Sequence, residues 1–371
     1  MTPAARPARR VRPVRVGPEP ARQPRTNRPE SATSTGVNSV NRKAEMTTTV
    51  AHGPARTTEI PAEADRHRAP SLLDGALHTD LTPEGCDLGY WFRAVPEGTL
   101  AGDPMGRTPD VTVPGHMLSE GPLRRAVMQE LAFRSMAEEK AARAISYLVA
   151  QAPDLSGMDF YTTQLMDEAR HAYAFRGHLL ELGVEQADLE STMEELAGAD
   201  RDAVLTPLEE FGLDVLREQR DYIGGVITLT VLVEGVLAPT AELSERKWWP
   251  FDPAAAQIER AAGIDEIRHL SVGTTIVRRH LEQRPEERER IGALIARGAE
   301  LWSRLPVREL TLRREQLYQQ GLEEHRDLAG DYEVWPGRRL ADTTAEERML
   351  TAAQWAENTQ RARLADMGLA P

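Results

Sequence analysis

Two copies of one five-residue pattern, DEARH at residues 167–171 and DEIRH at residues 265–269, decide the fold that this chain is expected to adopt. In each copy a glutamate stands three residues before a histidine, inside an amphipathic stretch. Residues i and i+3 of an α-helix lie on the same face, about 4.5 Å apart along the axis, so one carboxylate and one imidazole can bind the same cation. Each copy therefore predicts half of a two-metal site. The four candidate ligands are Glu168, His171, Glu266 and His269.

The repetition argues against an ordinary charged surface. The chain has nine histidines, and only His171 and His269 follow a glutamate by three residues. Both also have an aspartate four residues before them and an arginine one residue before them. Chance would supply about one Glu-x-x-His in a chain of this composition, but far less than two copies of the longer pattern. We therefore interpret both copies as metal ligands.

Dinuclear carboxylate sites in helical bundles take one further glutamate from each of two other helices. One candidate is Glu234, the single charged residue in the most apolar run of the chain, residues 224–240. An unpaired carboxylate there would be costly to remove from water, so a metal ion is its expected partner. The other glutamate has to lie on a helix before residue 160.

Glu138 and Glu139 are adjacent in that earlier helix, and helical phase distinguishes them. A stripe of apolar or small residues runs through Glu138, whereas the stripe through Glu139 includes Arg143 and Ser146. We take Glu138 as the ligand and keep Glu139 as the alternative. The stripe through Glu138 contains Leu131, Ala142, Ile145 and Val149.

Composition favours a helical protein with a sizeable core. The 371 residues are 40% hydrophobic and only 5% aromatic, and the net charge is −13. Residues 1–45 hold nine Arg and one Lys against three Glu, a local charge of +7. The remainder of the chain therefore has a net charge of −20, which does not indicate a nucleic-acid surface on the folded part. The one cysteine, Cys86, excludes an intrachain disulfide and fits a reducing cytoplasm. The best candidate for a membrane span is interrupted by Glu234, so no membrane association is expected.

The chain is expected to be all-α, a ferritin-like four-helix bundle with additional C-terminal helices. Residues 1–70 form a basic Pro- and Arg-rich extension that lacks hydrophobic periodicity and is expected to be disordered. Residues 71–118, in which Gly and Pro recur, are expected to wrap over the core as irregular chain. Residues 119–285 are expected to form the di-iron bundle, and residues 286–371 to form helices that pack on it.

Hydrophobic periodicity places the four bundle helices near residues 120–151, 158–184, 204–245 and 253–281. Each helix contributes one group of ligands, and the glutamates of successive groups are 30, 66 and 32 residues apart. The first and last helix pairs are expected to be antiparallel hairpins with nearly equal ligand spacing, and the longer middle link allows a crossover. The last helix of the chain is expected to begin at a capping box.

The string YTTQLMDEARH at residues 161–171, with the second copy and the ligand spacing, resembles the catalytic subunits of bacterial multicomponent monooxygenases. The resemblance covers about residues 120–281. It implies a non-haem di-iron centre that uses O2 to oxygenate a small organic substrate, by hydroxylation or N-oxygenation, in specialised metabolism. Manganese or an iron–manganese pair would also suit these ligands. The resemblance further implies an electron donor, a ferredoxin or a flavin reductase or both, and by analogy a homodimer.

Four residues beside the ligands are expected to support them. Asp167 and Asp265 would accept the far N–H of a ligating histidine and hold its tautomer, and Arg170 and Arg268 would pair with these carboxylates. The alternative is that all four form ordinary surface ion pairs.

The chain departs from the monooxygenase pattern at one position near the expected oxygen site. Four residues after the third-helix glutamate those enzymes usually carry a threonine, where this chain has Ala238. Thr230, one turn before Glu234, could supply the hydroxyl instead, or could simply pack between helices. Seven inward positions are pocket candidates that could equally be core. They are Ala142, Ile145, Gln164, Phe175, Thr230, Val231 and Ala238.

Three other classes of ferritin-like protein remain alternatives. A ribonucleotide-reductase radical subunit would usually carry a tyrosine where this chain has Phe175. An acyl-carrier-protein desaturase is the main enzymatic alternative, although a longer interval is expected between its first two ligand helices. A ferroxidase or iron-storage protein would bind the same metals without an organic substrate. His178, seven residues after His171, is interpreted as a hydrogen-bonded core or surface residue rather than a ligand.

Overall fold

Helices make up most of the chain in the computed structural model, which describes residues 59–369. Strands account for only two short pieces, and the expected all-α class is therefore confirmed. The α-helices of the described residues are α1 (Leu88–Ala94), α2 (Pro122–Gln151), α3 (Leu155–Glu181), α4 (Leu189–Asp200), α5 (Thr206–Leu213), α6 (Tyr222–Ile227), α7 (Glu234–Trp248), α8 (Pro253–Gln283), α9 (Arg288–Arg304), α10 (Val307–Glu324), α11 (Arg326–Ala329) and α12 (Ala345–Asp366).

Shorter elements lie between these helices. The strands β1 (Glu333–Trp335) and β2 (Arg338–Arg339) pair in an antiparallel hairpin. Segments with the wider π-helical turn are Val95–Thr99, Arg201–Leu205, Asp214–Glu218 and Thr228–Val233. Short 3-10 turns are Ala62–Ala64, Gly75–His78, Gly115–Leu118, Gln186–Asp188, Pro285–Glu287 and Leu340–Asp342.

The expected extension of residues 1–70 falls mostly outside the described residues. Its last part, residues 59–70, is described and packs on the helices, because Arg260 of α8 donates a 2.8 Å hydrogen bond to the backbone oxygen of Ala69. The segment that follows is attached in the same way. Glu242 of α7 accepts hydrogen bonds from the Ser71 hydroxyl at 2.7 Å and from the backbone N–H of Leu72 at 2.9 Å.

Side-chain contacts define the relative directions of the four long helices. Arg124 near the start of α2 donates to the backbone oxygen of Leu182 just after α3, so these two helices are antiparallel. His178 near the end of α3 contacts Asp252 just before α8, so α3 and α8 are also antiparallel. The short link between α7 and α8 makes that pair antiparallel as well. It follows that α2 and α8 run in one direction and that α3 and α7 run in the other.

The prediction of a single helix over residues 204–245 is wrong. The structure divides this stretch into α5, α6 and α7, with π-helical segments and one turn between them. At that turn Arg220 takes a φ of 54°, in the left-handed region that stops a helix. Asp221 then starts α6, because its side chain accepts a 2.9 Å hydrogen bond from the N–H of Gly224. The five residues before Tyr222, REQRD at 217–221, are all polar and interrupt the apolar pattern at this turn. The sequence prediction of one continuous helix does not take this signal into account.

The C-terminal helices pack directly on the ligand-bearing helices. Contacts join α10 to α2 and α12 to α7. Gly321 lets α10 lie directly against α2, since a Cβ atom there would lie 2.7 Å from the backbone of Leu123. The capping box expected at Thr343 and Glu346 begins one residue later, where Thr344 accepts a hydrogen bond from the N–H of the residue three positions on.

One helical stretch, Tyr222–Trp248, is long and apolar enough to cross a membrane by length and composition. In the structure 72% of its most apolar window is buried, as in the core helix of a folded domain. Glu234 lies near its middle and is buried with it. The stretch is therefore accounted for by packing inside the protein.

A buried ion pair joins the end of α3 to the start of α8. His178 Nε2 lies 2.8 Å from Asp252 Oδ2, while the other oxygen of Asp252 caps α8 by accepting from the N–H of Ala255. Burial alone would lower the pKa of His178, but its hydrogen bonds to Asp252 and Glu181 outweigh burial and raise the pKa to about 9. His178 is thus a hydrogen-bonded core residue that holds the cap of a ligand helix.

We predict that His178→Ala lowers the free energy of unfolding by about 3 kcal/mol, because it leaves the carboxylate of Asp252 buried without its partner. A raised pKa stabilises the fold below the unfolded value of 6.5, and this contribution is lost as the pH rises through about 9. The difference between wild type and variant should therefore be larger at about pH 6 than at about pH 9.5. Urea unfolding with a chelator present measures it, and the exposed His67→Ala is the control.

Candidate metal centre

Six acidic and histidine side chains from four helical segments converge in the interior of the described structure. They form two groups in which the ligand atoms lie within 4.8 Å of one another. One group is Glu168, Glu234, Glu266 and His269, and the other is Glu138, Glu168 and His171. These are the six residues expected from the sequence, and together they are compatible with a site for two metal ions.

Glu168 belongs to both groups and faces one histidine with each of its oxygens. Its Oε2 lies 3.2 Å from Nδ1 of His171, and its Oε1 lies 3.2 Å from Nδ1 of His269. His269 Nδ1 is also 3.7 Å from Oε1 of Glu266 on its own helix. A carboxylate held between two imidazoles in this way can bridge two cations.

Several of the converging atoms have no partner within the described residues. Glu168 Oε1, Glu234 Oε2, Glu266 Oε2 and His269 Nδ1 are buried and accept or donate no hydrogen bond there. Buried polar atoms are nearly always satisfied in folded proteins, so unsatisfied atoms in one cluster require an explanation. A bound cation would satisfy all four at once, and the donor set of this site therefore fits a metal.

The acidic groups of the cluster oppose one another's ionisation. Burial raises the pKa of Glu138 and of Glu234 well above the usual range, and nearby carboxylates raise both further. Burial acts in the same direction on Glu168, but the adjacent imidazoles of His171 and His269 outweigh it and lower that pKa. So much negative charge in the interior calls for a compensating positive charge.

The aspartates of the two repeated patterns each contact the histidine of the other copy. Nε2 of His171 lies 3.4 Å from Oδ2 of Asp265, and Nε2 of His269 lies 3.3 Å from Oδ2 of Asp167. If a cation binds Nδ1 of each ring, the remaining proton lies on Nε2, where an aspartate accepts it. This crossed arrangement orients both imidazoles toward the metal site.

The arginines of the two patterns neutralise these aspartates. Arg170 of α3 donates to Oδ2 of Asp265 at 2.6 Å, and Arg268 of α8 donates to both Asp265 and Asp167. Burial opposes ionisation of Asp265, yet His171 and the two arginines outweigh it and lower the pKa. These residues are buried, so the alternative of surface ion pairs does not describe them.

Sequence reasoning missed one partner of this network, Trp91 on α1. Its indole Nε1–H donates a 2.8 Å hydrogen bond to Oδ1 of Asp167. The pattern around Trp91 is unremarkable, and only the packing of α1 against α3 brings the two residues together. Asp167 thus accepts from an indole, a guanidinium and an imidazole.

The structure distinguishes the two adjacent glutamates of α2. Glu138 lies in the metal-binding group with Glu168 and His171. Glu139 is exposed and pairs with Arg143 one turn later at 2.7 Å. Glu138 is therefore the candidate ligand, as the helical phase indicates.

A cavity of about 740 Å³ opens on one side of the acidic cluster. Three of the candidate ligands line it, namely Glu138, Glu234 and Glu266. Apolar side chains form most of its wall, and they include the pocket candidates Phe175 and Ala238. Its volume is within the range of pockets that bind small molecules.

The other pocket candidates lie elsewhere. Gln164 is buried and donates a 2.5 Å hydrogen bond to Oε1 of Glu234, so it positions a ligand rather than lining the cavity. Ile145 and Val231 belong to a neighbouring apolar cluster. Thr230 faces α8, where a Cβ on Gly273 would clash with its hydroxyl. The fifth residue outside the cavity lining is Ala142, whose neighbour Ala141 lines it instead.

Thr230 and Val231 are predicted from the sequence to face the pocket, but they do not line the cavity. The π-helical segment Thr228–Val233 explains the difference. A π turn contains one more residue than an α turn, so residues before it are rotated relative to those after it. The N–H of Glu234 bonds to the carbonyl of Leu229, five residues back. Helical phase counted backwards from Glu234 is therefore wrong by about one position.

The C-terminal helices stabilise this segment, a role that the sequence did not indicate. Trp302 of α9 donates a 2.6 Å hydrogen bond to the backbone oxygen of Leu232, and Gln360 of α12 donates a 2.9 Å hydrogen bond to that of Val231. Both donors also line the cavity. Helices α9, α10 and α12 thus build part of the pocket wall beside the acidic cluster.

A comparison with protein-family models gave no match, and a comparison with curated proteins gave none either.

We predict that the two ligand groups can be removed separately. Glu234→Ala should reduce the metal that the chain binds from about two ions to about one, because Glu138, Glu168 and His171 remain. Glu168→Ala, which removes the shared ligand, should leave less than one. Metal analysis after anaerobic iron(II) loading and gel filtration measures this, with Glu139→Ala as the matched control. Loss of metal in the Glu139 variant alone would contradict the assignment.

The crossed aspartates should matter for metal affinity without touching the metal. Asp265→Ala is expected to weaken metal binding by about 10- to 100-fold, because His171 loses the acceptor that orients its ring. Competition with a chelating dye measures the affinity, and circular dichroism checks the fold. The exposed Asp202→Ala serves as the control. An unchanged affinity in a folded Asp265 variant would rule out this role.

Proposed function

We propose that this protein is an O2-activating non-haem di-iron oxygenase that acts on a small organic substrate. One observation carries the proposal. Two buried groups of carboxylates and histidines share Glu168, and three of their members line an apolar cavity large enough for a small molecule. A site for metal ions that opens on a substrate-sized cavity is what such an oxygenase requires.

The arrangement of the helices supports a ferritin-like bundle. In chain order α2, α3, α7 and α8 run up, down, down and up, and the long link between α3 and α7 connects the two helices of the same direction. Ferritin-like folds have one long crossover connection of this kind. We therefore retain the proposed kinship with the catalytic subunits of multicomponent monooxygenases.

The donor set favours iron or manganese. It consists of four carboxylates and two imidazoles, ligands that suit borderline and oxygen-seeking metals. Cys86 is buried outside this set, so no thiolate competes among the described ligands. With iron bound, such a centre supplies reductive activation of O2 and transfer of one oxygen atom to a substrate.

The chain's own residues position the ligands and control access to them. Gln164 donates to Glu234 and so fixes one of the carboxylates that line the cavity. Asp167 and Asp265 hold the two ligating imidazoles in one tautomer. The apolar walls exclude water and orient a substrate against the acidic cluster. Electrons are proposed to come from a ferredoxin or a flavin reductase.

An iron titration distinguishes the oxygenase from an iron-storage protein. Under the proposal, O2 consumption by the iron(II) protein saturates at about two irons per chain, and Glu234→Ala abolishes it while Glu139→Ala does not. A ferroxidase would continue to take up and oxidise further iron. An oxygen electrode and metal analysis of the recovered protein make both measurements. Uptake far above two irons, or no iron-dependent O2 consumption, would overturn the proposal.

A further inference from the structure

Part of the cavity wall is charged, and one carboxylate there is incompletely paired. Glu259 of α8 lines the cavity, and its side chain is 0% exposed. Its Oε1 lies 2.8 Å from Nε of Arg134 and accepts a 3.0 Å hydrogen bond from the Ser244 hydroxyl. Its Oε2 is buried and has no hydrogen-bond partner among residues 59–369. A buried carboxylate oxygen in a cavity wall calls for a donor from whatever fills the cavity.

The cations of this region are already paired. Lys247 lies between Glu130 at 2.9 Å and Glu315 at 2.6 Å. Arg348 is fully buried and donates to the second oxygen of Glu315 at 2.6 Å. Lys247 and Arg348 are thus neutralised by carboxylates and do not need an anionic ligand. Glu259 Oε2 still requires a hydrogen-bond donor.

Arg314 also contributes a charged side chain to the cavity wall. It pairs with Asp200 at 2.7 Å and stacks over the ring of Phe133 at 4.0 Å. Its side chain is 20% exposed, in contrast to the fully buried Glu259. Nε of Arg314 is nevertheless buried and has no hydrogen-bond partner among the described residues, so an anionic group at Arg314 is the competing ligand that a binding test has to distinguish.

Helix geometry gives the distance from this carboxylate to the metal ligands. Glu259 and Glu266 are seven residues apart on α8, so they lie on one face about 10 Å apart along the axis. Both line the same cavity. A molecule that binds Glu259 and reaches the acidic cluster therefore has an extended body between its polar end and its reacting atom.

We propose that the substrate carries a protonated amine that binds Glu259, on an apolar body that extends to the metal centre. The statement that the apolar body reaches the metal centre rests on the oxygenase function proposed above. Binding in this orientation places the oxidised atom on a carbon remote from the nitrogen, which favours C-hydroxylation over N-oxygenation. In that reaction a C–H bond becomes C–OH, and the second oxygen atom of O2 leaves as water. The required two electrons come from the external reductant, with two protons from solvent.

The ionisation of Glu259 agrees with this role. Burial raises its pKa to about 7, and Glu130 raises it too, while Arg134 acts in the opposite direction. At neutral pH the free carboxyl is thus poised between its two forms. A bound ammonium group would hold it ionised and complete its pairing.

Binding of straight-chain probes to the metal-free protein tests the anchor independently of catalysis. Isothermal titration calorimetry with n-octylamine, 1-octanol and octanoate should give at least tenfold tighter binding of the amine than of either other probe. Glu259→Gln should lose that tenfold preference, because it removes the charge and keeps the volume. Glu139→Gln, an exposed carboxylate outside the cavity lining, is the matched control and should bind the amine like wild type.

The outcomes separate the two proposals. Equal binding of amine and alcohol by the wild type overturns the anchor whatever the variants do, and tighter binding of octanoate would indicate a carboxylate site at Arg314 instead. If Glu259→Gln fails to fold by circular dichroism, Ser244→Ala replaces it and should weaken amine binding by loosening Glu259. Amine binding without iron-dependent O2 consumption would leave the anchor standing and remove the oxygenase. Iron-dependent O2 consumption without a preference for the amine would support the oxygenase and overturn the anchor.

Discussion

Repulsion among four carboxylates that meet in the helical core governs how this protein is built. Glu138, Glu168, Glu234 and Glu266 meet inside a helical core where water cannot screen them, and the pKa values of Glu138 and Glu234 are raised accordingly. The surrounding fold has to hold such a cluster together, and a bound cation would neutralise it. Glu168 is central, because each of its oxygens faces one of the two histidines.

A second layer of charges provides that support. Asp167 and Asp265 accept from the histidine of the opposite helix, and Arg170 and Arg268 neutralise the aspartates. The two copies of the five-residue pattern therefore act on each other. Each copy supplies its own metal ligands and the partner that orients the other copy's imidazole. This exchange ties α3 to α8 and makes the centre nearly symmetric.

The cavity depends on parts of the chain that carry no recognisable motif. A π-helical segment before Glu234 rotates that ligand relative to the residues preceding it, and donors from α9 and α12 bind the carbonyls of this segment. Helices after residue 286 also line the cavity, as does Glu259. Hydrophobic periodicity placed α2, α3 and α8 nearly correctly, but one helix was predicted across the break at Arg220 although the polar run at residues 217–221 interrupts the apolar pattern there.

The sequence by itself determined the candidate ligands, because Glu-x-x-His acts through the local geometry of one helix turn and a lone glutamate in an apolar run needs a partner. It also distinguished Glu138 from Glu139, since helical phase is local. Four further relations follow from the packing of the helices: Glu168 is shared, the aspartates cross between helices, Trp91 joins them, and Glu259 lines the same cavity as three of the ligands. Those relations join residues far apart in the chain, and no spacing rule within one helix can specify them.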